Sequence, residues 1–291
     1  MSEITSKTTV PPISLRRRLT DHAMTAASVL TVVIVLAPLI AIFGYLVYRG
    51  VGSLNWDFLT KTPKPVGELG GGMANAIVGS IMILAVASVI GVPFGVGAGI
   101  YLAEFGRNRM GSIIRFTADV LNGVPSIVIG IVGYAIVVLY QHHFSALAGG
   151  VALAIMMVPT ICRTTEEMLL LVPQALREAA YGLGVPRWRT TLSIVLRTAT
   201  SGVITGVMLA FARIAGETAP LLFTTLANQF WNTHPGEPTA ALPLQIYVYA
   251  NSPYEDWHRQ AWAGSFVLII LIVGSVAAVR YVVRRGSFGT A

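Results

Sequence analysis

The chain has 291 residues, of which 54% are hydrophobic and only 11% charged, with a formal net charge of +7. So few polar side chains cannot coat a water-soluble globule of this length, so a soluble protein is excluded and an all-α, polytopic membrane protein is expected. The basic residues are scattered rather than clustered with aromatic side chains, which argues against a nucleic-acid partner.

A membrane span needs about 20 apolar residues. Residues 1–22 read as a polar N-terminal tail, followed by a first span over 23–48. No small-residue cleavage site follows a short apolar core there, so this span is expected to stay in the mature chain. Further spans are predicted over 74–103, 119–140, 146–172, 199–225 and 261–283, giving a six-helix transmembrane region within 23–285 and a short tail over 286–291. Gly91, Gly95 and Gly99 recur every four residues along the second span, a small-residue stripe that lets another membrane helix approach closely, from this chain or from a partner.

Lys and Arg concentrate in cytoplasmic loops, and here they alternate with the spans. Lys7, Arg16, Arg17, Arg18, Arg107, Arg109, Arg115, Arg177, Arg187, Arg189, Arg197, Arg280, Arg284 and Arg285 fall on one side, against Arg49, Lys61, Lys64 and Arg259 on the other. Both termini are therefore expected in the cytoplasm.

None of the three lysines ends a phosphate-binding loop of the form GxxxxGK[ST], so nucleotide hydrolysis is not expected in this chain. The five histidines lack metal-ligand spacing, and Cys162 has no second cysteine to pair with. No nucleophile elbow or zinc-peptidase motif appears. No catalytic residue, metal site or bound cofactor is predicted.

The loop over 173–198 reads as two short helices. Glu178, Ala179 and Ala180 end the first, Gly182 and Gly184 supply a turn, and Pro186 suits the start of the second. Arg177, Arg187, Arg189 and Trp188 offer charged and aromatic anchors for a partner. The order Glu178-Ala179-Ala180, Gly184, Ile194, Leu196 resembles the EAA loop of bacterial ABC importer permeases, with Arg197 where that pattern ends in proline. The resemblance implies a type I permease architecture and docking of this loop on a cytoplasmic ABC ATPase dimer that uses the ATP.

Four further stretches narrow it. Residues 91–106 (GVPFGVGAGIYLAEFG), 119–130 (DVLNGVPSIVIG), 163–173 (RTTEEMLLLVP) and 212–224 (ARIAGETAPLLFT) resemble the PstA family, the permease subunits of bacterial phosphate importers. That resemblance implies an inner-membrane location, a related second permease subunit forming a heterodimer, and an extracytoplasmic phosphate-binding protein. No second copy of the six-span pattern lies in the chain, and one Arg and one Glu make half an oxyanion site. The loop over 227–260, with Trp231, Tyr247, Tyr249, Tyr254 and Trp257, reads mainly as an aromatic membrane belt, and contact with the binding protein there is a weaker expectation.

Arg213 and Glu217 interrupt an apolar stretch, where each charge costs about 2.5 to 3.5 kcal/mol on insertion scales. A guanidinium presents a planar fork suited to a tetrahedral oxyanion, and a carboxylate can accept the proton that hydrogen phosphate carries and sulfate lacks. Four residues apart on one helix, the two could instead pair with each other. Arg163 and Glu166 sit either at the inner interface, if the fourth span ends near Cys162, or inside the bundle, if it runs to Val172. By the resemblance they match positions tied to phosphate passage, as an inner gate. The alternatives are a permease for sulfate or molybdate, and a proton-coupled secondary transporter using Glu217.

Overall fold

The computed structural model describes residues 14–287 except Leu69. Lys7 and the rest of 1–13, and residues 288–291 of the C-terminal tail, lie outside the described residues, as do the side chains of Arg284 and Arg285. Residues up to Tyr48 form one compact unit and those from Arg49 onward a second. The described residues contain helices and no strand.

The first unit is the bulk of α1 (Leu15–Ser53), whose side chains such as Leu30, Ile34 and Ile40 remain exposed along an apolar surface suited to lipid. In the second unit, α2 (Trp56–Thr60) is capped by Asn55, whose side chain accepts from the Phe58 amide at 2.7 Å. Asn, short and polar, satisfies a helix-start N–H that has no intrahelical partner. Next comes α3 (Ala74–Phe105), a 32-residue helix long and apolar enough to span a membrane.

The third predicted span is not one helix. It divides into α4 (Arg109–Gly123) and a second piece made of α5 (Ser126–Gly133), a π-helical turn over Tyr134–Val138 and α6 (Leu139–Gln141), bent from α4 by 107°. Pro125 explains the break. It lacks an N–H and pushes the preceding residue out of helical geometry, and Val124 is extended at φ −70°, ψ 131°. Apolar composition alone concealed this, because the run reads through the proline without a charge to mark it.

The fourth span is α7 (Ala146–Leu170), started by the Ser145 hydroxyl, which accepts from the Ala148 amide at 3.0 Å. It is the central helix, packing against α3, α4, α5, α10 and α11. The glycine stripe of α3 faces it. A Cβ built on Gly95 would lie 2.7 Å from Ile161 Cβ, and one on Gly99 would lie 2.5 Å from Thr165 Cβ. The stripe's partner is therefore another helix of this chain, running parallel to α3. Lipid tails are as apolar as the side chains, so close packing rather than water exclusion holds such a seam.

After α7 come α8 (Gln174–Gly182) and α9 (Arg187–Thr190). The latter continues through a π-helical stretch (Thr191–Val195) into α10 (Leu196–Ala215), making one 29-residue span over Arg187–Ala215. The second helix of the predicted loop pair is thus the beginning of the fifth span. That span also stops early, at Ala215. Gly216, Glu217 and Thr218 separate it from α11 (Ala219–Thr224), where Pro220 occupies the first turn, the position a helix tolerates because its N–H has no partner there.

The following segment folds back over α3. The Leu242 amide donates to Ser80 Oγ at 2.6 Å, and α12 (Leu242–Ala250) is largely buried. Tyr249 is buried and stacks on Trp257 with centroids 4.3 Å apart, while Trp231 and Tyr247 remain exposed. Part of the predicted aromatic belt is therefore the packed interior of a cap. The last helix, α13 (Glu255–Ser287), supplies a span over Glu255–Val283. One core joins α3, α7, α10, α11 and α12 through Ile83, Leu153, Met157, Ile214, Leu221 and Leu244.

Candidate functional site

Because α7 runs unbroken to Leu170, Arg163 and Glu166 lie on a continuous span rather than beyond its end. One turn apart, they pair directly, Arg163 Nη1 to Glu166 Oε2 at 3.0 Å. The bend at Pro125 lays α4 across the same face and adds two residues that sequence reasoning passed over. Arg115 Nε stands 2.6 Å from Glu166 Oε1, and Arg163 Nε stands 3.0 Å from Asp119 Oδ1. Arg115 also donates to the carbonyls of Gly106 (2.8 Å) and Leu102 (3.1 Å) at the end of α3. Beside this cluster the Thr160 hydroxyl donates to Asn122 Oδ1 at 3.1 Å.

Glu166 is 4% exposed, and two arginines hold its two oxygens. A buried carboxylate survives only when so paired. Two cations and two anions make the cluster neutral, so it closes on itself instead of presenting spare positive charge. A signal for the missed residues did exist: Arg115 and Asp119 are four apart on an amphipathic segment just before Pro125.

Arg213 and Glu217 behave differently. Their i, i+4 spacing would bring them together only on a continuous helix, and the helix ends between them. No ion pair or side-chain hydrogen bond engages either of them among the described residues. Arg213 occupies the last turn of α10, where the unsatisfied carbonyls favour a cation. The Glu217 amide donates to the Ile214 carbonyl at 3.1 Å, a tighter turn than the α-helical i to i−4 bond, just past the end of α10.

The structure does not merge the two pairs. Gly206 packs on Thr164 and Gly202 on Met168, so α10 runs antiparallel to α7. Carrying that register forward puts Arg213 level with Met157, about 9 Å along the axis from Arg163 at 1.5 Å per residue. Pro220 of α11 rests against Gly130 of α5, so the break after Arg213 adjoins the half-length helix that starts at Ser126. Two interrupted spans therefore meet there, and non-helical backbone at membrane depth is tolerated only where protein or a polar cavity surrounds it.

At the opposite end of α10, α8 leaves Glu178 and Ala179 exposed and buries Arg177 and Ala180. Gly184 turns the chain with φ +77°, a left-handed conformation that glycine adopts without a Cβ clash. The residues around that turn, Leu183 and Trp188, project outward as apolar surface.

A multi-span helical bundle with two interrupted helices, intramembrane charge and a protruding helical hairpin defines the membrane component of a transporter. The family described as binding-protein-dependent transport system inner membrane component matches residues 95–287. Among solved structures, the MetNI methionine ABC transporter in inward-facing conformations superposes with a TM-score of 0.58 at 17% identity, over 74% of this chain and 96% of that one. The fold is thus that of a type I ABC importer permease. The phosphate transport system permease protein PstA of Yersinia pestis is 45% identical over 272 residues, covering 92% of each chain. That of Haemophilus influenzae is 46% identical over 88% of this chain and 91% of its own. That of Mycobacterium leprae is 36% identical over 96% of this chain and 94% of its own. This chain belongs to the PstA family.

Proposed function

We propose that this chain is the transmembrane permease subunit of an ATP-driven importer of inorganic phosphate. The observation that carries the reading is the 45% identity to a phosphate transport permease across 92% of both chains. The chain is a transport subunit rather than an enzyme. It binds no cofactor, and ATP is consumed by a separate cytoplasmic ATPase dimer.

In this reading Arg213 and Glu217 line the substrate path. Arg213, with no side-chain partner among the described residues, offsets the desolvation of the anion through paired N–H donors. Glu217 accepts the proton of hydrogen phosphate and repels a fully deprotonated oxyanion. Arg163 and Glu166, closed on each other and on Arg115 and Asp119, form the inner gate. Opening that gate requires the ion pairs to exchange partners, and an arriving anion that competes for Arg163 offers such an exchange. Glu178, Ala179, Ala180 and Gly184 form the coupling element that docks on the ATPase.

The remaining parts follow from the same reading. A related second permease subunit supplies the other half of the path, and a phosphate-binding protein delivers substrate to the face that carries α12. Both termini lie in the cytoplasm in this reading, which the distribution of Lys and Arg supports.

The test is ATP-driven uptake of labelled phosphate into vesicles holding the complete complex, with sulfate in excess as competitor. Uptake that resists sulfate and is lost in Arg213→Gln, with the complex still assembled, supports the reading. Competition by sulfate, or uptake that follows a proton gradient without ATP, contradicts it.

A further inference from the structure

The coupling helix α8 has a narrow attachment to the bundle. Its only buried side chains are those of Arg177 and Ala180, and a polar cavity of about 680 Å³ lies beneath it, lined in part by Glu104, Arg107, Val172, Tyr181 and Arg187. Three residues, 171–173, join α7 to α8. The Leu171 and Val172 amides donate back to Glu167 and Leu169 of α7, so the hinge between the two helices is confined to the bonds around Val172 and Pro173.

Arg177 closes it. The side chain is 9% exposed and spends its donors on α7, on the link and on α3 at once. Nη1 donates to the Val172 carbonyl at 2.6 Å and Nη2 to the Leu169 carbonyl at 2.9 Å, fastening α8 to the link and to the last turn of α7. Nη2 and Nε also donate to Glu104 Oε1 at 2.9 and 3.2 Å, fastening both to the end of α3. Glu104 stands two residues from Leu102 and Gly106, whose carbonyls accept from Arg115, and Arg115 holds Glu166. Two sets of charge-assisted hydrogen bonds, joined by the backbone at the end of α3, thus run from α8 to the cluster of Asp119, Arg163 and Glu166. By contrast, α10 receives any motion of α9 directly, through continuous helix.

We propose that Arg177 is a positioning residue for the transport step: it locks the hinge between α7 and α8 to Glu104, so that displacement of the coupling helix is delivered to the gate cluster. Without it, α8 stays joined to α9 and α10 through the turn at 183–186, whose Gly184 and Val185 amides donate back to the Tyr181 and Ala180 carbonyls, but its movement is absorbed at residues 171–173 before it reaches α3 and α7. The inference rests on the reading of this chain as an ATP-driven permease. A lysine at 177 keeps the charge but not the fork that reaches three acceptors.

The decisive variant is Arg177→Gln with Glu104→Gln, which removes both charges and leaves no orphaned ion. In vesicles holding the complete complex, ATP hydrolysed and phosphate transported are measured together. The expected result is continued hydrolysis with the ATP spent per phosphate raised about fivefold or more, the lower end of ordinary coupling strengths. Arg177→Lys is expected to raise it less, and decides the matter if the double variant fails to assemble. Spin labels at Tyr181→Cys and Ser112→Cys report the second expectation: one fixed separation with and without ATP in the parent, a broadened one in the variant. An unchanged ratio and an unchanged distance distribution overturn the proposal. A parent complex that hydrolyses ATP yet takes up no phosphate contradicts the functional reading instead, and the spin-label distances then decide the role of Arg177 independently.

Discussion

Arg115 and Glu166, 51 positions apart, meet at 2.6 Å and tie the amphipathic helix α4 to the central span α7. Glu166 is thereby held between two arginines, and its removal should be felt as unbalanced positive charge rather than as a lost contact.

Glu166→Ala is accordingly expected to destabilise the protein by about 3 kcal/mol, near the low end for breaking a buried pair, because Arg115 and Arg163 are each about one-third exposed. The drop should register in the thermal unfolding midpoint of the detergent-solubilised complex. An unchanged midpoint would mean that water already screens the cluster.

Arg213 is expected to show the reverse pattern. Having no partner among the described residues, it should be replaceable by Gln within about 0.5 kcal/mol of stability. Phosphate uptake should nevertheless fall by roughly tenfold or more, the worth of a hydrogen bond to a charged group. Parallel unfolding and uptake measurements check the pair of outcomes, and a loss of stability equal to the loss of uptake would assign Arg213 a structural role.

The seam between α3 and α7 leaves no room at Gly99, where a Cβ would meet Thr165, but open space at Gly97. Gly99→Ala should cost about 1 to 3 kcal/mol by overpacking. Gly97→Ala should be neutral or stabilising by about 0.5 to 1 kcal/mol, since alanine is the better helix former. Comparing the two midpoints tests the parallel packing directly.

Gly184 sits at φ +77° and Gly182 does not share that conformation. Gly184→Ala should cost about 1 to 2 kcal/mol locally, because an L-residue clashes there. Its visible consequence should be weaker co-purification of the ATPase subunit, while Gly182→Ala retains it. Equal retention by both variants would show that the turn is not read by the ATPase.

Much of the fold was legible because membrane spans announce themselves in one dimension. About 20 apolar residues in a row suffice, and α3, α7 and α13 fall where that rule puts them. The rule fails where a break lies within an apolar run. Pro125 has no charge beside it, and the charges beside Gly216, Arg213 and Glu217, read as site residues rather than as a helix end, so two interrupted helices read as continuous spans. Arg163 and Glu166 stood out as charges in an apolar run, yet their partners Arg115 and Asp119 did not, since one resembled an ordinary loop arginine and the other the first residue of a span.

The sequence by itself determined which segments can enter a bilayer, where charge interrupts them and which loop carries the EAA pattern, because each of these depends on neighbours a few positions apart. Tertiary structure alone decided that the glycine stripe packs on α7, that Glu166 is held by Arg115, that Arg177 reaches Glu104 across 73 positions, and that Arg213 and Glu217 stay apart. Periodicity states that a helix face is buried or charged. Which helix answers it depends on how the bends at Pro125 and Gly216 redirect the chain, and that is settled only when the spans pack together.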